Sequence, residues 1–200
     1  MRTLNKLIIT KWNDRILTVL FSDGQPLEIG LEENSSILGN IYIGKVNRIV
    51  KNLNSAFVDF EKGRTGYYSL SDNPCILYAD GHEGALKAGD EIIVQVARDA
   101  VRTKDPVLSS NLNFTGQYGV LTAGKTIVGF SSRISDKAWK EQMRPVLEDA
   151  VRDEAGLIVR TNAYGHEEQL LEELKKLQAL YQSVRQAAAY RTCFSLLYRP

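Results

Sequence analysis

Cysteine is scarce in this chain, which has 200 residues and two cysteines, Cys75 and Cys193. They lie far apart without metal-ligand spacing, so the sequence indicates neither a disulfide framework nor a zinc site. Long apolar runs are also absent, and the N-terminal segment MRTLNKLIITKWNDR reaches charged residues too early for a secretory signal. These absences argue against a disulfide-rich secreted domain and a helical membrane protein, and they predict a cytoplasmic protein of one or two globular domains.

An excess of either charge is missing as well. The chain has 25 Lys and Arg residues against 24 Asp and Glu residues, a net charge of +1. Within residues 36–115 the basic and acidic side chains also cancel. The protein therefore lacks the strong positive field that holds a polyanion by bulk electrostatics, and any nucleic-acid site must consist of individually placed side chains.

The pattern of apolar residues divides the chain into three regions. Residues 1–35 predict short strands separated by turn formers at Asn13 and Asp23. Residues 36–115 contain five strand-like runs with Gly and Asn turns, which favours a small closed barrel of the OB type over a sandwich. Residues 116–200 combine further strands with two helical patterns, so the predicted fold class is α+β.

Two segments within residues 116–200 have helical periodicity. In SDKAWKEQMRPVLEDAVRDEAG, Ser135 is the predicted N-cap, and Pro145 predicts a kink or a break. HEEQLLEELKKLQALYQSVRQAAA predicts a second helix with a single apolar stripe. The stripe consists of Leu170, Leu174, Leu177, Tyr181 and Val184.

Aromatic residues stand at positions where a barrel strand should face solvent. In the run SAFVDF, Phe57 and Asp59 alternate with the apolar residues Ala56, Val58 and Phe60. If the apolar set fills the barrel, Phe57 faces outward. Tyr67 and Tyr68 are adjacent on the next strand, so one of them also points away from the core. The alternative is that another part of the chain covers these aromatics.

Exposed aromatics on neighbouring strands would form a stacking platform for nucleic-acid bases, worth about 1–3 kcal/mol per base without a sequence preference. Basic residues that could contact phosphates are expected close to it: Lys45, Arg48 and Arg64. The pattern therefore favours a binding site for single-stranded nucleic acid.

The order of motifs resembles the ribonuclease E/G family of bacterial endoribonucleases. GNIYIGKVNRIV, AFVDF and GYYSL are similar to that family's S1 RNA-binding domain, and VQVARDAVRTKDPVLSSNL, FTGQYGVL, SSRI and GLIVRT follow in the family's order. The resemblance covers nearly the whole chain. It implies that residues 1–35 are the first strands of a ribonuclease-H-like subdomain and that residues 36–115 are an S1 domain of the OB fold. Residues 116–200 would then hold a sensor for the 5′ end of RNA and the start of the return to the ribonuclease-H-like subdomain.

The resemblance also implies which residues bind RNA in the S1 domain. Phe57 and Tyr67 match the family's stacking aromatics, and Lys104 matches a basic residue after the fourth strand. Together with Lys45 and Arg64, these residues form the predicted RNA-binding set.

In the sensor, Arg160 and Thr161 of GLIVRT match the pair that holds a 5′ monophosphate, and Gly116 and Val120 match positions that close the pocket. The chemistry suits a phosphate, because a guanidinium offers planar paired donors and keeps its charge, and an adjacent hydroxyl adds a donor. Arg133 of SSRI is a further candidate for RNA contact.

The family's enzymes cut RNA with a pair of aspartates that hold magnesium in a subdomain C-terminal to the segments seen here. The scattered aspartates Asp59, Asp72, Asp90 and Asp99 do not match that motif, and the family's zinc-linking cysteine motif is absent too. The resemblance thus predicts the N-terminal part of a longer, magnesium-dependent endoribonuclease. This part would bind single-stranded RNA, preferably 5′-monophosphorylated, without cutting it and without a cofactor of its own. The full-length protein is expected to be a homo-oligomer.

Two alternatives stay open at this point. The chain could be a non-catalytic S1-domain protein that binds RNA or the ribosome, with the sensor-like region as scaffold. Alternatively, the barrel could dock a protein, with Phe57 and Tyr67 as an apolar partner patch.

Overall fold

The structure is a computed structural model that describes residues 5–13, 15–33, 36–101, 103–151 and 155–200. The chain divides into two compact units, Met1–Ser36 and Ile37–Pro200. Among the described residues, no helix is both long enough and apolar enough to cross a membrane.

The first unit is an antiparallel meander of three strands: β1 (Asn5–Trp12), β2 (Arg15–Ser22) and β3 (Gln25–Glu33). Both predicted turn positions adopt left-handed backbone conformations, with φ of 47° at Asn13 and 49° at Asp23. Positive φ at the tips is what two-residue hairpin loops require. Three strands alone cannot enclose a core, and exposed apolar side chains lie on both faces of the sheet, including Leu7, Ile9, Ile29 and Leu31.

The second unit begins with a closed barrel of five strands. They are β4 (Ile41–Val50), β5 (Ser55–Glu61), β6 (Arg64–Ser69), β7 (Glu91–Arg98) and β8 (Val107–Ser109). The strands pair in the order β4-β5-β6-β8-β7, and β7 pairs again with β4. The β6–β8 pairing is parallel and the other four are antiparallel. The predicted five-stranded OB-type barrel is confirmed.

Alternating side chains fill the barrel, and the core includes Tyr42, Val46, Ala56, Val58, Phe60, Tyr68, Val94, Val96 and Leu108. Gly66 allows β6 to approach β8, because a Cβ at this position would lie 2.5 Å from the Leu108 Cγ. The buried Tyr68 hydroxyl donates to the Ser110 Oγ at 2.8 Å, and Ser110 donates to the Ile93 carbonyl at 3.1 Å. The buried hydroxyls of Tyr68 and Ser110 are therefore satisfied.

Tyr68 should make the stability of the barrel depend on pH in alkaline solution. Burial raises the pKa of Tyr68 to about 12, and the hydrogen bond to Ser110 offsets only part of that effect. The hydroxyl is protonated in both states below pH 10, but between pH 10 and 12 the unfolded state ionises first. The stability contributed by the neutral hydroxyl is then lost, amounting to about 1–1.5 kcal/mol at pH 11. Urea unfolding at pH 8 and pH 11 should show this loss in the unaltered chain relative to Tyr68→Phe; an equal loss in both would contradict it.

The rest of the second unit is a four-stranded sheet with two helices. The strands are β9 (Asn113–Thr115), β10 (Gly119–Ala123), β11 (Val128–Phe130) and β12 (Ala155–Val159), in the order β11-β12-β10-β9. The helices are α1 (Lys137–Val151) and α2 (Glu167–Tyr190), and the final strand β13 (Leu196–Tyr198) pairs with β4. The predicted α+β class is confirmed.

Helix α2 buries the predicted stripe: Leu170, Leu174, Leu177, Tyr181 and Val184. This stripe packs in a second core to which Ile41 and Ile43 of β4 also contribute. The predicted N-cap of α1 is wrong, because Asp136 and not Ser135 accepts the N–H of Trp139, at 3.0 Å. Helix α1 continues through Pro145 as a single element.

Candidate nucleic-acid interface

A stripe of side chains crosses the outer face of the barrel, one from each strand. Arg48 pairs in register with Phe57, Phe57 with Tyr67, Tyr67 with Val107, and Val107 with Arg98. Register partners point to the same face of a sheet, and all five are half-buried or exposed. We call these five residues the barrel stripe. The stripe contains two aromatic rings and one aliphatic side chain, with an arginine at each end.

The two aromatics at the centre of the barrel stripe contact each other. The ring centroids of Phe57 and Tyr67 lie 6.2 Å apart, with an interplanar angle of 79°, which is an edge-to-face arrangement. The Arg48 guanidinium carbon lies 4.6 Å from the Phe57 ring centroid. Both rings stay partly exposed, so no other described part of the chain covers them fully. A planar phosphate donor thus sits directly beside a pair of rings suited to base stacking.

The other predicted RNA-binding residues lie outside this contact. Lys45 is exposed on β4, but its register partners are the acidic residues Asp59 and Glu91. The Arg64 guanidinium bonds to the Glu61 carboxylate at 2.8 Å, which compensates its charge. The structure therefore places both basic residues next to carboxylates.

Lys104 borders a cleft of about 660 Å³ that continues the barrel stripe beyond Tyr67. The cleft lining includes Arg98 and Val107 of the stripe, together with Asp99 and Thr103. Simple alternation along β7 misses Arg98, since Val96 is buried and Arg98 should face inward with it. A β-bulge between Val96 and Arg98 turns the arginine outward opposite Val107.

A second candidate site lies at the loop that joins β9 to β10. Glu173 of α2 extends its carboxylate into this loop and accepts the backbone N–H groups of Gln117 at 2.6 Å, Tyr118 at 2.8 Å and Gly119 at 3.0 Å. A side chain at Gly116 would displace the Glu173 carboxylate from this position, because a Cβ there would lie 2.3 Å from the Glu173 carboxyl carbon. Consecutive amides that converge in this way form an anion-binding nest, and a carboxylate of the same chain fills it.

The predicted sensor residues surround this loop. Arg160 follows β12, donates its backbone N–H to the Tyr118 carbonyl at 2.8 Å, and donates from its guanidinium to the Gly116 carbonyl. Val120 lies in β10 and pairs with Ile158, two residues before Arg160. The structure thus brings Gly116, Val120 and Arg160 to the same end of the second sheet.

Thr161 is exposed at the start of a short 3-10 turn, Thr161–Ala163. It follows Arg160 directly but lines a separate pocket of about 210 Å³ together with Arg133. Sequence reasoning missed Glu173, which reads as one of several acidic residues on α2. Its role depends on the approach of α2 to a distant loop, which no local pattern reports.

The known proteins that this chain is similar to include ribonucleases of the E and G types. Residues 113–200, which include the second sheet and both helices, match the family model described as the Ribonuclease E/G family. Ribonuclease G of Salmonella typhimurium is 28% identical over 181 residues, covering 83% of this chain and 37% of the relative. Ribonuclease E of a Nostoc species is 29% identical over 188 residues, covering 92% of this chain and 27% of the relative. Ribonuclease E of Haemophilus influenzae is 28% identical over 209 residues, covering 98% and 22%.

The resemblance to the ribonuclease E/G family is confirmed. The similarity to ribonuclease E spans both units of the chain, and the family-model match covers the region around Glu173 and Arg160. The chain spans about a third or less of the length of these relatives.

Two of the aspartates considered from the sequence have hydrogen-bond donors within the chain. Asp59 accepts hydrogen bonds from the Asn47 amide at 2.8 Å and the Thr65 hydroxyl at 2.6 Å. Asp90 accepts the Lys87 backbone N–H at 2.7 Å. Within the ranges that the structure describes, no group of three or more His, Cys, Asp and Glu side chains could hold a metal ion. No catalytic step is therefore assigned to the described carboxylates.

Proposed function

We propose that this chain is the RNA-binding, 5′-end-sensing part of an endoribonuclease of the ribonuclease E/G type that acts in RNA decay and ribosomal RNA processing. The observation that carries the proposal is the barrel stripe, in which Phe57 and Tyr67 lie edge to face between Arg48 and Arg98. Stacking rings with flanking guanidiniums suit single-stranded RNA, because every base has a π-face and the phosphates lie between the bases. Lys104 extends the basic border along the adjoining cleft.

A 5′ monophosphate would bind through side chains in this proposal. The amides of residues 117–119 are already bonded to Glu173, so they are not available to a second anion. Arg160 is exposed and uses one guanidinium N–H for the Gly116 carbonyl, while its other donors can pair with phosphate oxygens. The adjacent Thr161 hydroxyl supplies a further donor, and Gly116 and Val120 border the same end of the sheet.

The rest of the enzyme would lie in a longer protein. Residues 1–35 are assigned to the first strands of a ribonuclease-H-like subdomain, which is supported by the exposed apolar side chains on both faces of β1–β3. Residues 36–115 are the S1 domain and residues 116–200 the sensor. Phosphodiester hydrolysis would require magnesium-binding carboxylates outside this chain, so the chain alone is proposed to bind RNA without cutting it. The full-length protein is proposed to be a homo-oligomer.

Fluorescence anisotropy with a short 3′-labelled, A/U-rich RNA tests this function at one fixed salt concentration. The unaltered chain should bind the 5′-monophosphate form more tightly than the 5′-hydroxyl form. Arg160→Ala should bring the ratio of the two affinities to about one and leave binding of the 5′-hydroxyl RNA nearly unchanged, since the guanidinium contacts only the terminal phosphate. Lys176→Ala is the matched control, because it removes one exposed positive charge from α2.

Three outcomes separate the competing functions. Equal losses for both RNAs in Arg160→Ala would contradict the sensor assignment. Equal binding of both RNAs by the unaltered chain would instead favour a general S1-domain RNA-binding protein. No binding of either RNA would favour the protein-docking alternative for the patch at Phe57 and Tyr67.

A further inference from the structure

A pocket of about 210 Å³ opens beside Thr161, between the N-terminal end of α1 and the 3-10 turn that follows β12. Its lining consists of Arg133, Ile134, Ser135, Asp136, Thr161 and Tyr164. Thr161 directly follows Arg160, so this pocket adjoins the proposed binding site of the terminal phosphate. The proposed sensor function uses only one of these six residues.

Tyr164 is held rigidly although half of it faces solvent. Its side chain is 50% exposed, yet its hydroxyl donates to the Asp136 carboxylate at 3.0 Å. Its ring packs edge to face on Trp139, with centroids 5.3 Å apart, and Trp139 packs in the same way on Phe130 at 5.9 Å. The Trp139 indole N–H is bonded to Glu167. A ring fixed at its hydroxyl and its edge loses little further freedom when a planar group stacks on its open face.

Asp136 anchors this arrangement at neutral pH. The backbone N–H of Trp139, and then the Tyr164 hydroxyl, hold the pKa of Asp136 below its usual range. The carboxylate is therefore ionised, and its oxygens are engaged by Trp139 and Tyr164. Each of its two oxygens accepts one of these hydrogen bonds, so the carboxylate holds the Tyr164 ring in place.

Arg133 supplies a cation to the lining of the pocket. It is exposed, and its guanidinium makes no hydrogen bond or ion pair within the described part of the chain. Ser135 lines the same pocket. An open aromatic face, a guanidinium and hydroxyl groups within one small pocket match the parts of a nucleotide: a base to stack, a phosphate to pair, and a ribose to hydrogen-bond.

We propose that this pocket is a subsite for the second nucleotide of the RNA, whose base stacks on Tyr164 while Arg133 pairs with the phosphodiester that precedes it. The inference rests on the proposed sensor, because the terminal phosphate at Arg160 and Thr161 sets the position of the chain. The subsite would add affinity for RNA ends of any sequence, since stacking tolerates every base.

A double-mutant cycle tests the stacking contact. Affinity is measured by anisotropy for the unaltered chain and Tyr164→Ala, each with intact RNA and with RNA that lacks the base at position 2. Tyr164→Ala should weaken binding of intact RNA by about 5- to 100-fold, and the abasic RNA should show little further loss. Tyr190→Ala is the control, because this tyrosine is 90% exposed on α2 and lies outside the pocket lining.

A second cycle does not depend on Tyr164→Ala folding correctly. Arg133→Gln changes an exposed side chain, and it is combined with RNA carrying a neutral methylphosphonate between nucleotides 1 and 2. Each change alone should weaken binding by about 5- to 10-fold, and the two together should cost no more than one alone. Independent losses that multiply in both cycles would overturn the subsite.

Measuring every variant with 5′-monophosphate and 5′-hydroxyl RNA separates this proposal from the sensor itself. If neither cycle shows coupling between the protein change and the RNA change, but the unaltered chain still prefers the 5′-monophosphate RNA, the subsite alone is contradicted. Absence of that preference in the unaltered chain contradicts the sensor and, with it, the reason for placing the second nucleotide here. Coupling that is equally strong to a base at position 4 would also overturn the assignment, because the pocket lies next to the 5′ end.

Discussion

Phe57→Ala is expected to weaken binding of single-stranded RNA by about 1–3 kcal/mol, or roughly 5- to 100-fold, without unfolding the barrel. The neighbours Ala56 and Val58 are fully buried, whereas Phe57 lies on the outer face and contacts Tyr67 and Arg48. Truncation therefore removes a stacking surface and leaves the core intact. Anisotropy titration gives the affinity, and thermal unfolding gives the stability.

A matched control comes from Leu53, an apolar side chain that is 60% exposed just before β5 and outside the barrel stripe. Leu53→Ala removes exposed apolar surface too, so it should leave RNA affinity unchanged. Tyr67→Ala should weaken binding as Phe57→Ala does, and the two losses should not add fully because the rings touch. A much lower unfolding temperature with unchanged affinity would show instead that Phe57 serves stability.

Local sequence pattern predicts only part of the barrel stripe. The period of two in SAFVDF predicts Phe57 outside and Ala56, Val58 and Phe60 inside, as the structure has them. The same period does not determine which of Tyr67 and Tyr68 faces outward. The pairing of Phe57 with Tyr67 resolves this, because register is set by the hairpin between β5 and β6.

The surroundings of the basic residues depend on strand pairing more than those of the aromatics do. The sequence predicts Lys45, Arg48 and Arg64 close to Phe57, but of these three only Arg48 lies in register with it, while Arg64 pairs with Glu61. The contacts of a long basic side chain depend on which residues strand pairing brings within its reach. Bulges also shift which face of the sheet a residue occupies. The bulge before Arg98 is such a shift, and nothing in the run EIIVQVAR marks it.

The sensor region combines local and distant determinants. The apolar stripe of α2 follows from helical periodicity, and all five of its predicted members are buried. The N-cap of α1 lies one residue after the predicted Ser135, since Ser and Asp are both good N-caps and only the side-chain geometry separates them. The bonds of Glu173 to residues 117–119 join segments more than fifty positions apart, so they arise from tertiary packing alone.

Glu173→Ala is expected to release the loop between β9 and β10 and to abolish the preference for a 5′ monophosphate. The change removes the acceptor of three backbone N–H groups, and charge-assisted hydrogen bonds of this kind contribute about 1.5–3 kcal/mol each when buried. The loop is partly exposed, so water can replace part of the lost hydrogen bonding. The unfolding free energy should therefore fall by about 2–3 kcal/mol. Arg160 then loses a fixed Gly116 carbonyl as its anchor.

Hydrogen exchange of the amides of residues 117–119 reports the release directly, and the two RNA ends report its effect on binding. Glu172→Ala is the control, because this neighbouring acid is exposed on α2 and makes none of these contacts. Glu173→Gln keeps the side-chain length and one carbonyl acceptor, so it should fall between Glu173→Ala and the unaltered chain. Faster exchange with an unchanged preference for the monophosphate would show that Arg160 is positioned without the loop. Tighter binding of the 5′-monophosphate RNA by both Glu173 variants would mean that the Glu173 carboxylate competes with the phosphate for the amides of residues 117–119 instead of ordering the site.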